Sequence, residues 1–326
     1  MITHSGFDSG LWGNLGNQLF QYASLIGIAD KRGTFHCLPR WQWSSYFAVP
    51  PEIKVINTFS VVKEKSFNYD SNIHNEGVNN IDFLGWFQSE KYWNHCKPMV
   101  KELLKFKDEK IHQSTYKHAL CFDKKTIAIS VRRGDYVDNP NYELLNADYY
   151  YLALLEHFPD WRDYNILIFS DDIPYCKVHF QCLPNVTFIE GLNPMEQLIL
   201  GSMCDNFIIA NSTFSWWMAY LGEREHSKII RPNYLFAGEL LANNDWSDFY
   251  PERWTKFDHK NAFLNLNDCT FIIPVTIDSE DRKENYLAIF DYIERYFSTK
   301  VQSGSPMING KFHRTKWLNE ATKESN

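Results

Sequence analysis

Two adjacent arginines, Arg132 and Arg133, are followed at once by Gly134 and Asp135. A guanidinium is planar, permanently protonated and matched to phosphate oxygens, so an arginine in a ligand crevice points to an anionic group on the ligand. Of two consecutive arginines only one can aim inward along a strand direction, while the other braces the turn. The same residues also fit a structural ion pair that caps a turn. Asp171 and Asp172 form a second polar pair. Their carboxylates can accept hydrogen bonds from a ribose or from the N1–H and amino group of a guanine, or they can cap the next helix. A metal reading ranks behind both, because no further ligands cluster nearby. Asn211, Ser212, Thr213 and Ser215 place hydroxyls and free N–H groups at a helix start, a ready phosphate cradle. Asn14, Gly16, Asn17 and Gln18 lie in a glycine-rich turn that opens another helix, which also fits a plain helix cap.

Each group needs an element to hold it. Ile127 to Val131 is a continuous apolar run, as expected of a buried parallel strand, and ligand chemistry in open α/β sheets sits just past the carboxyl ends of such strands. The design recurs at 165–170, 185–189, 207–210 and 229–231, with helices expected at 147–156, 194–204 and 211–221. This alternation predicts a Rossmann-like parallel sheet. Residues 1–105 read as a less regular α/β unit, with a helix from Asn17, strands at 35–38, 54–62 and 81–88, an aromatic loop at 41–47 placed to line a cleft, and a helix at 89–106. The lysine-rich segment 105–125 reads as a charged connection. Domains are therefore expected at 1–120, 121–258 and 259–326, the first two facing each other across a cleft.

The chain has 326 residues, 44% hydrophobic and 22% charged, with a net charge of -7. That acidity argues against nucleic acid or an acidic membrane surface as the main partner. No apolar run approaches the roughly 20 residues of a membrane-spanning helix, and the start of the chain lacks signal-peptide character. Seven cysteines without a C-x-x-C pair read as reduced thiols of a cytoplasmic protein. Aromatic residues make up 16%. Trp216 and Trp217 are expected in the core rather than as a sugar platform.

Four ordered motifs carry a resemblance: Gly13-Asn-Leu-Gly-Asn-Gln-Leu-Phe-Gln-Tyr-Ala23, Val131-Arg-Arg-Gly-Asp-Tyr136, Phe169-Ser-Asp-Asp172 and Ile209-Ala-Asn-Ser-Thr-Phe-Ser-Trp-Trp217. Over roughly residues 8 to 258 the sequence resembles the family 11 glycosyltransferases, the α-1,2-fucosyltransferases. The resemblance implies a GT-B fold, GDP-β-L-fucose as donor, no metal or other cofactor, and inversion to an α-1,2-linked fucoside on a galactose-type hydroxyl of a glycan acceptor. By motif, Arg132 would stabilise the departing diphosphate, and Arg133 and Asp135 would brace that site or touch the sugar. Asn211, Ser212, Thr213 and Ser215 would contact phosphate, Asp171 and Asp172 guanine or ribose. Asn14, Gly16, Asn17 and Gln18 would form the facing wall. The family usually has a histidine two residues before the first arginine; here it is Ser130.

Cys269 to Tyr286 resembles the strand-turn-helix opening of a GT-A glycosyltransferase, where Asp278 or Asp281 would meet a nucleotide base, with a next helix over 311–319. A fused second transferase is therefore a possible partner. Two rival readings stand beside the fucosyltransferase. One is a non-catalytic GDP-sugar-binding module that scaffolds its fused neighbour; the other is a transferase using a different nucleotide-linked deoxyhexose.

Overall fold

The computed structural model describes residues 1–312, apart from 8, 56, 58–59, 79, 262–263, 276–277, 305–306 and 309–310. It divides into two compact units, Met1–Phe257 and Asp258–Asn326.

The first unit contains two parallel sheets. The smaller has strands β1 (Ile2–Thr3), β2 (Ser60–Lys63) and β3 (Ile81–Leu84) in the order β1-β3-β2. Beside it lies α1 (Leu15–Arg32), in which 14 residues are buried. Gly33 ends that helix in the left-handed conformation, and Lys31 and Arg32 complement the carbonyl end of its dipole. Further on come α2 (Lys97–Leu103) and α3 (Asp108–Thr115).

The larger sheet contains β4 (Thr126–Val131), β5 (Asn165–Ser170), β6 (Val186–Phe188), β7 (Asn206–Ile209), β8 (Ile229–Pro232) and β9 (Thr255–Phe257). Between them run α4 (Ala147–His157), α5 (Ile173–Phe180), α6 (Pro194–Ser202), α7 (Thr213–Gly222) and α8 (Gly238–Asn243). All neighbours are parallel, in the order β6-β5-β4-β7-β8-β9. Every residue of β4 and β7 is buried, which explains their largely apolar character; the polar exceptions are Thr126, Ser130 and Asn206. This is the doubly wound Rossmann order, and with the first sheet it gives the two α/β halves of a GT-B fold.

An aromatic cluster joins the halves. Phe20 of α1 lies 4.5 Å from Trp216 and 5.2 Å from Trp217 of α7, while Trp93 stacks on Trp217 at 5.6 Å. Trp93 Nε1 donates to Tyr220 Oη at 2.8 Å. Trp216 and Trp217 are fully buried, so they are core.

Several element boundaries differ from expectation. The strand expected over 81–88 stops at Leu84, and Gly85–Gln88 is a loop. The helix expected over 89–106 is two short 3-10 turns followed by α2, whose first turn holds Pro98; without an N–H, proline opens a helix rather than continuing one. The connection at 105–125 contains α3 and a 3-10 turn. Residues 35–38 form only isolated bridges, at His36 and Leu38. The strand expected over 54–62 is present from Ser60, and its residues 56, 58 and 59 lie outside the described ones.

The second unit has β10 (Leu264–Pro274), α9 (Glu280–Tyr296) and β11 (Phe297–Gly304), the two strands being parallel. A short antiparallel pair follows, β12 (Met307–Ile308) with β13 (Lys311–Phe312). Asp278 pairs with Arg282 at 2.8 Å. The helix expected over 311–319 begins instead with a strand, and its remainder from 313 lies outside the described residues. No helix among the described residues is long and apolar enough to cross a membrane.

Candidate active site

In the larger sheet the chain runs outward from β4 to β6, returns to β7 beside β4, and then runs outward the other way. Loops leaving β4 and β7 therefore diverge, and the crevice between them is where such sheets bind ligands. Arg132 follows β4, and Ser212 follows β7 after a two-residue step. A pocket of about 660 Å³ opens here, lined by Arg132, Asp135, Asn211, Ser212, Thr213, and Asn14, Gly16, Asn17 and Gln18.

The two arginines divide their work. Arg132 lines the pocket, with Nη1 2.6 Å from Asp171 Oδ2 and Nη2 hydrogen-bonded to Asp135. Arg133 turns away: its Nε lies 3.2 Å from Asp172 Oδ2, and its guanidinium rests 3.6 Å from the Tyr175 ring centroid. Its backbone N–H donates to Asp171 Oδ1 at 2.9 Å. Asp171 thus ties the inward arginine to the turn. Gly134 permits this approach, since a Cβ there would lie 2.5 Å from Asp171 Oδ2. Asp172 is the N-cap of α5 and accepts the Tyr175 N–H at 3.1 Å. Arg133 and Asp172 are absent from the pocket lining.

Two helix starts border the pocket, and neither carries a side-chain cap. Ser212 at α7 and Asn14 at α1 occupy N-cap positions without making the capping hydrogen bond. By contrast, α6 has a full capping box in which Asn193 accepts from Met195 and Glu196, and Glu196 accepts the Asn193 N–H. Uncapped first-turn N–H groups favour an anion. Asn211 fixes this turn: its amide donates to the carbonyls of Glu143 and Leu235 at 3.0 and 3.1 Å, and Tyr136 donates to its backbone oxygen at 2.8 Å. Burial raises the Tyr136 phenol above its ordinary range, so it stays a neutral donor.

A second pocket of about 150 Å³ adjoins the first and shares Arg132, Pro194, Ser212 and Phe214 with it. Asp171, Ser130 and Ser215 line it, and the two serine hydroxyls are hydrogen-bonded at 2.7 Å. Ser130 therefore occupies the strand end beside Arg132 with its side chain buried against α7.

The aromatic loop that the sequence sets at a cleft does reach the main pocket, through Gln42 and Trp43. The sequence does not single out Trp86 and Gln88 from the loop after β3, or Tyr142 and Phe236 from loops of the larger half. The strand-end rule that found Arg132 would have found Trp86 and Gln88, had β3 been ended at Leu84. Trp41 of the aromatic loop is buried, stacked 4.9 Å from Phe47. Among the described residues one trio, Asp30, His95 and Cys96, has the spacing to hold a metal ion, and it lines neither pocket.

Known proteins resemble this chain over most of its length. An Escherichia coli alpha-1,2-colitosyltransferase is 27% identical over 287 residues, covering 76% of this chain and 97% of the relative. A Caenorhabditis elegans galactoside 2-alpha-L-fucosyltransferase is 26% identical over 302 residues, covering 75% and 74%. The crystal structure of fucosyltransferase NodZ from Bradyrhizobium aligns with 13% identity and a TM-score of 0.44, covering 68% of this chain and 92% of that one. With the family model for glycosyl transferase family 11 matching residues 3–258, the chain belongs to that family.

Proposed function

We propose that this glycosyltransferase moves L-fucose from GDP-β-L-fucose to the 2-hydroxyl of a terminal galactose-type residue, with inversion and without a metal. The observation that carries the reading is the position of Arg132 at the switch point of the sheet, beside two helix starts that lack side-chain caps. These supply positive charge where a leaving diphosphate gathers negative charge, and such stabilisation is usually the largest catalytic contribution. The donor diphosphate displaces Asp135 from Arg132 and takes its place. Among the described residues, Asp135 is the one carboxylate in the main pocket's lining. It accepts the proton of the attacking 2-hydroxyl as that oxygen bonds to the sugar's anomeric carbon and the bond from that carbon to phosphate breaks. Asp171, Ser212 and Ser215 hold the nucleotide side. The names of the E. coli and C. elegans relatives support α-1,2 transfer of a deoxyhexose.

A second reading keeps the reaction and replaces fucose by another nucleotide-linked deoxyhexose, and the colitosyltransferase relative favours it. Thermal melts with GDP, UDP and dTDP, with and without EDTA, test the nucleotide, because a ligand bound only by the folded state raises the melting temperature. A shift with GDP alone that ignores EDTA is expected, followed by turnover of GDP-fucose with a β-galactoside. A shift that requires metal, or none with GDP, sinks the mechanism. Donor binding without product on any acceptor returns the protein to a non-catalytic binding module.

A further inference from the structure

The main pocket has two chemically different parts. Its arginine and its aspartate, Arg132 and Asp135, both follow β4, while the loop after β3 contributes only an indole, Trp86, and an amide, Gln88. That loop is held in place from several sides. Glu64, just past the end of β2, accepts the backbone N–H groups of Trp86 at 2.7 Å and Phe87 at 2.9 Å. Phe87 has φ 50, a conformation a bulky residue rarely adopts, and its carbonyl accepts the Ser24 hydroxyl of α1 at 3.0 Å. Gln88 Nε2 donates to Asn17 Oδ1 at 2.9 Å, and Trp86 packs edge-to-face on Trp12 at 5.4 Å. The indole and the amide are thus fixed before any ligand arrives. Strain of this kind persists only where the surroundings over-determine it, and it gathers at binding sites.

We propose that Trp86 and Gln88 form the acceptor subsite, that it takes a neutral terminal pyranoside, and that Glu64 is the residue that positions it. The proposal rests on the transferase reading above and adds the residues and the charge class of the acceptor. An indole face covers the apolar C–H face of a pyranose, and a side-chain amide both donates to and accepts from ring hydroxyls. An acidic sugar would need a cation. Among the described residues Arg132 is the only cation in the lining, and the donor diphosphate engages it.

The test measures acceptor and nucleotide separately. Saturation-transfer NMR with lactose and with a sialylated lactose is run on the wild type, Trp86→Ala and Trp86→Phe, and GDP affinity is measured by calorimetry on each. Lactose contact is expected in the wild type, lost in Trp86→Ala and recovered in Trp86→Phe, with the sialylated sugar giving none and GDP affinity unchanged. Where turnover is measurable, the acceptor KM of Trp86→Ala and Gln88→Leu rises tenfold or more while the donor KM holds. For Glu64→Gln the acceptor KM rises with kcat held, a split that a general loss of structure does not produce. Lactose contact that survives in Trp86→Ala overturns the subsite, and binding of the acidic sugar overturns the charge class. The NMR arm needs no turnover, so failure of the donor assignment and failure of this subsite are read on different axes.

Discussion

Gly16 of α1 rests directly on the backbone of Phe214 at the start of α7: a Cβ on Gly16 would lie 2.5 Å from the Phe214 nitrogen. Thr213 Oγ1 would be only 2.6 Å away. The two uncapped helix starts are thereby pinned side by side, and a methyl group there meets backbone rather than a flexible side chain. Gly16→Ala is expected to force them apart, costing about 1–3 kcal/mol in stability as an overpacked site does, and weakening GDP at least as much. Calorimetry and thermal melts check both; unchanged GDP affinity would detach this contact from the donor site.

The two arginines separate by function. Arg132→Lys keeps the charge but loses the fork, and kcat/KM is expected to fall by about 10²–10³, as for a lost donor to developing negative charge. Arg133→Lys loses the ring contact with Tyr175 and the bond to Asp172. Its effect is expected in stability, about 1 kcal/mol, with kcat nearly kept. Steady-state kinetics and melts on the pair decide it, and equal kinetic losses would contradict the division.

Asp135→Asn distinguishes a base from a brace. A base predicts a kcat about 10²–10⁴ lower with GDP affinity retained. A brace for Arg132 predicts the reverse, weaker GDP and a modest kcat change. Pre-steady-state rates at saturating donor separate the two.

Arg253 joins the halves near the aromatic cluster. It pairs with Glu223 through Nε and Nη2 at 2.7 and 2.8 Å and with Glu90 through Nη1 at 2.6 Å. The glutamate side chains are only 16% and 13% exposed, the arginine 36%. Breaking a buried pair costs about 3–5 kcal/mol, and with this exposure Arg253→Ala is expected to cost about 2–3. Burial alone would raise the Glu223 carboxyl, but Arg253, Trp254 and Lys97 together hold it below its ordinary value. That part of the stability is present above the ordinary value and is lost as pH falls through the depressed one. Chemical denaturation at pH 7 and pH 3 measures both, and a gap between wild type and variant that does not shrink in acid would contradict it.

Strand-ends in the larger sheet were legible because a buried parallel strand writes itself as an apolar run and its ligand groups follow directly: Ile127–Val131 into Arg132, Phe207–Ile209 into Ser212. The smaller sheet was not, because β1 has two residues and β2 alternates exposed with half-buried positions. Trp86 and Gln88 stayed hidden for a related reason. Phe83, Trp86 and Phe87 look like one strand in sequence, and nothing local announces that Glu64, more than twenty residues earlier, folds the chain away after Leu84. Likewise the uncapped state of Ser212 is invisible in sequence, since serine at that position ordinarily caps.

Glu64 gives the last prediction. Burial pushes its carboxyl up from 4.5 to about 7, against the two backbone N–H groups, which pull it down; burial wins. The folded protein therefore holds this proton more tightly than the unfolded chain. The resulting stabilisation is complete below about pH 4.5 and is lost as pH rises through about 7, amounting to roughly 2–3 kcal/mol. Glu64→Gln removes the titration, and the loss of one of the two acceptors for the loop N–H groups adds an offset that does not change with pH. Measured from pH 5 to pH 8, its stability should gain on the wild type, with most of the change complete by pH 7.5. A difference that stays flat across that range would show that the carboxyl is ionised throughout, and the loop after β3 would then be held by a full charge instead of a neutral acid at low pH.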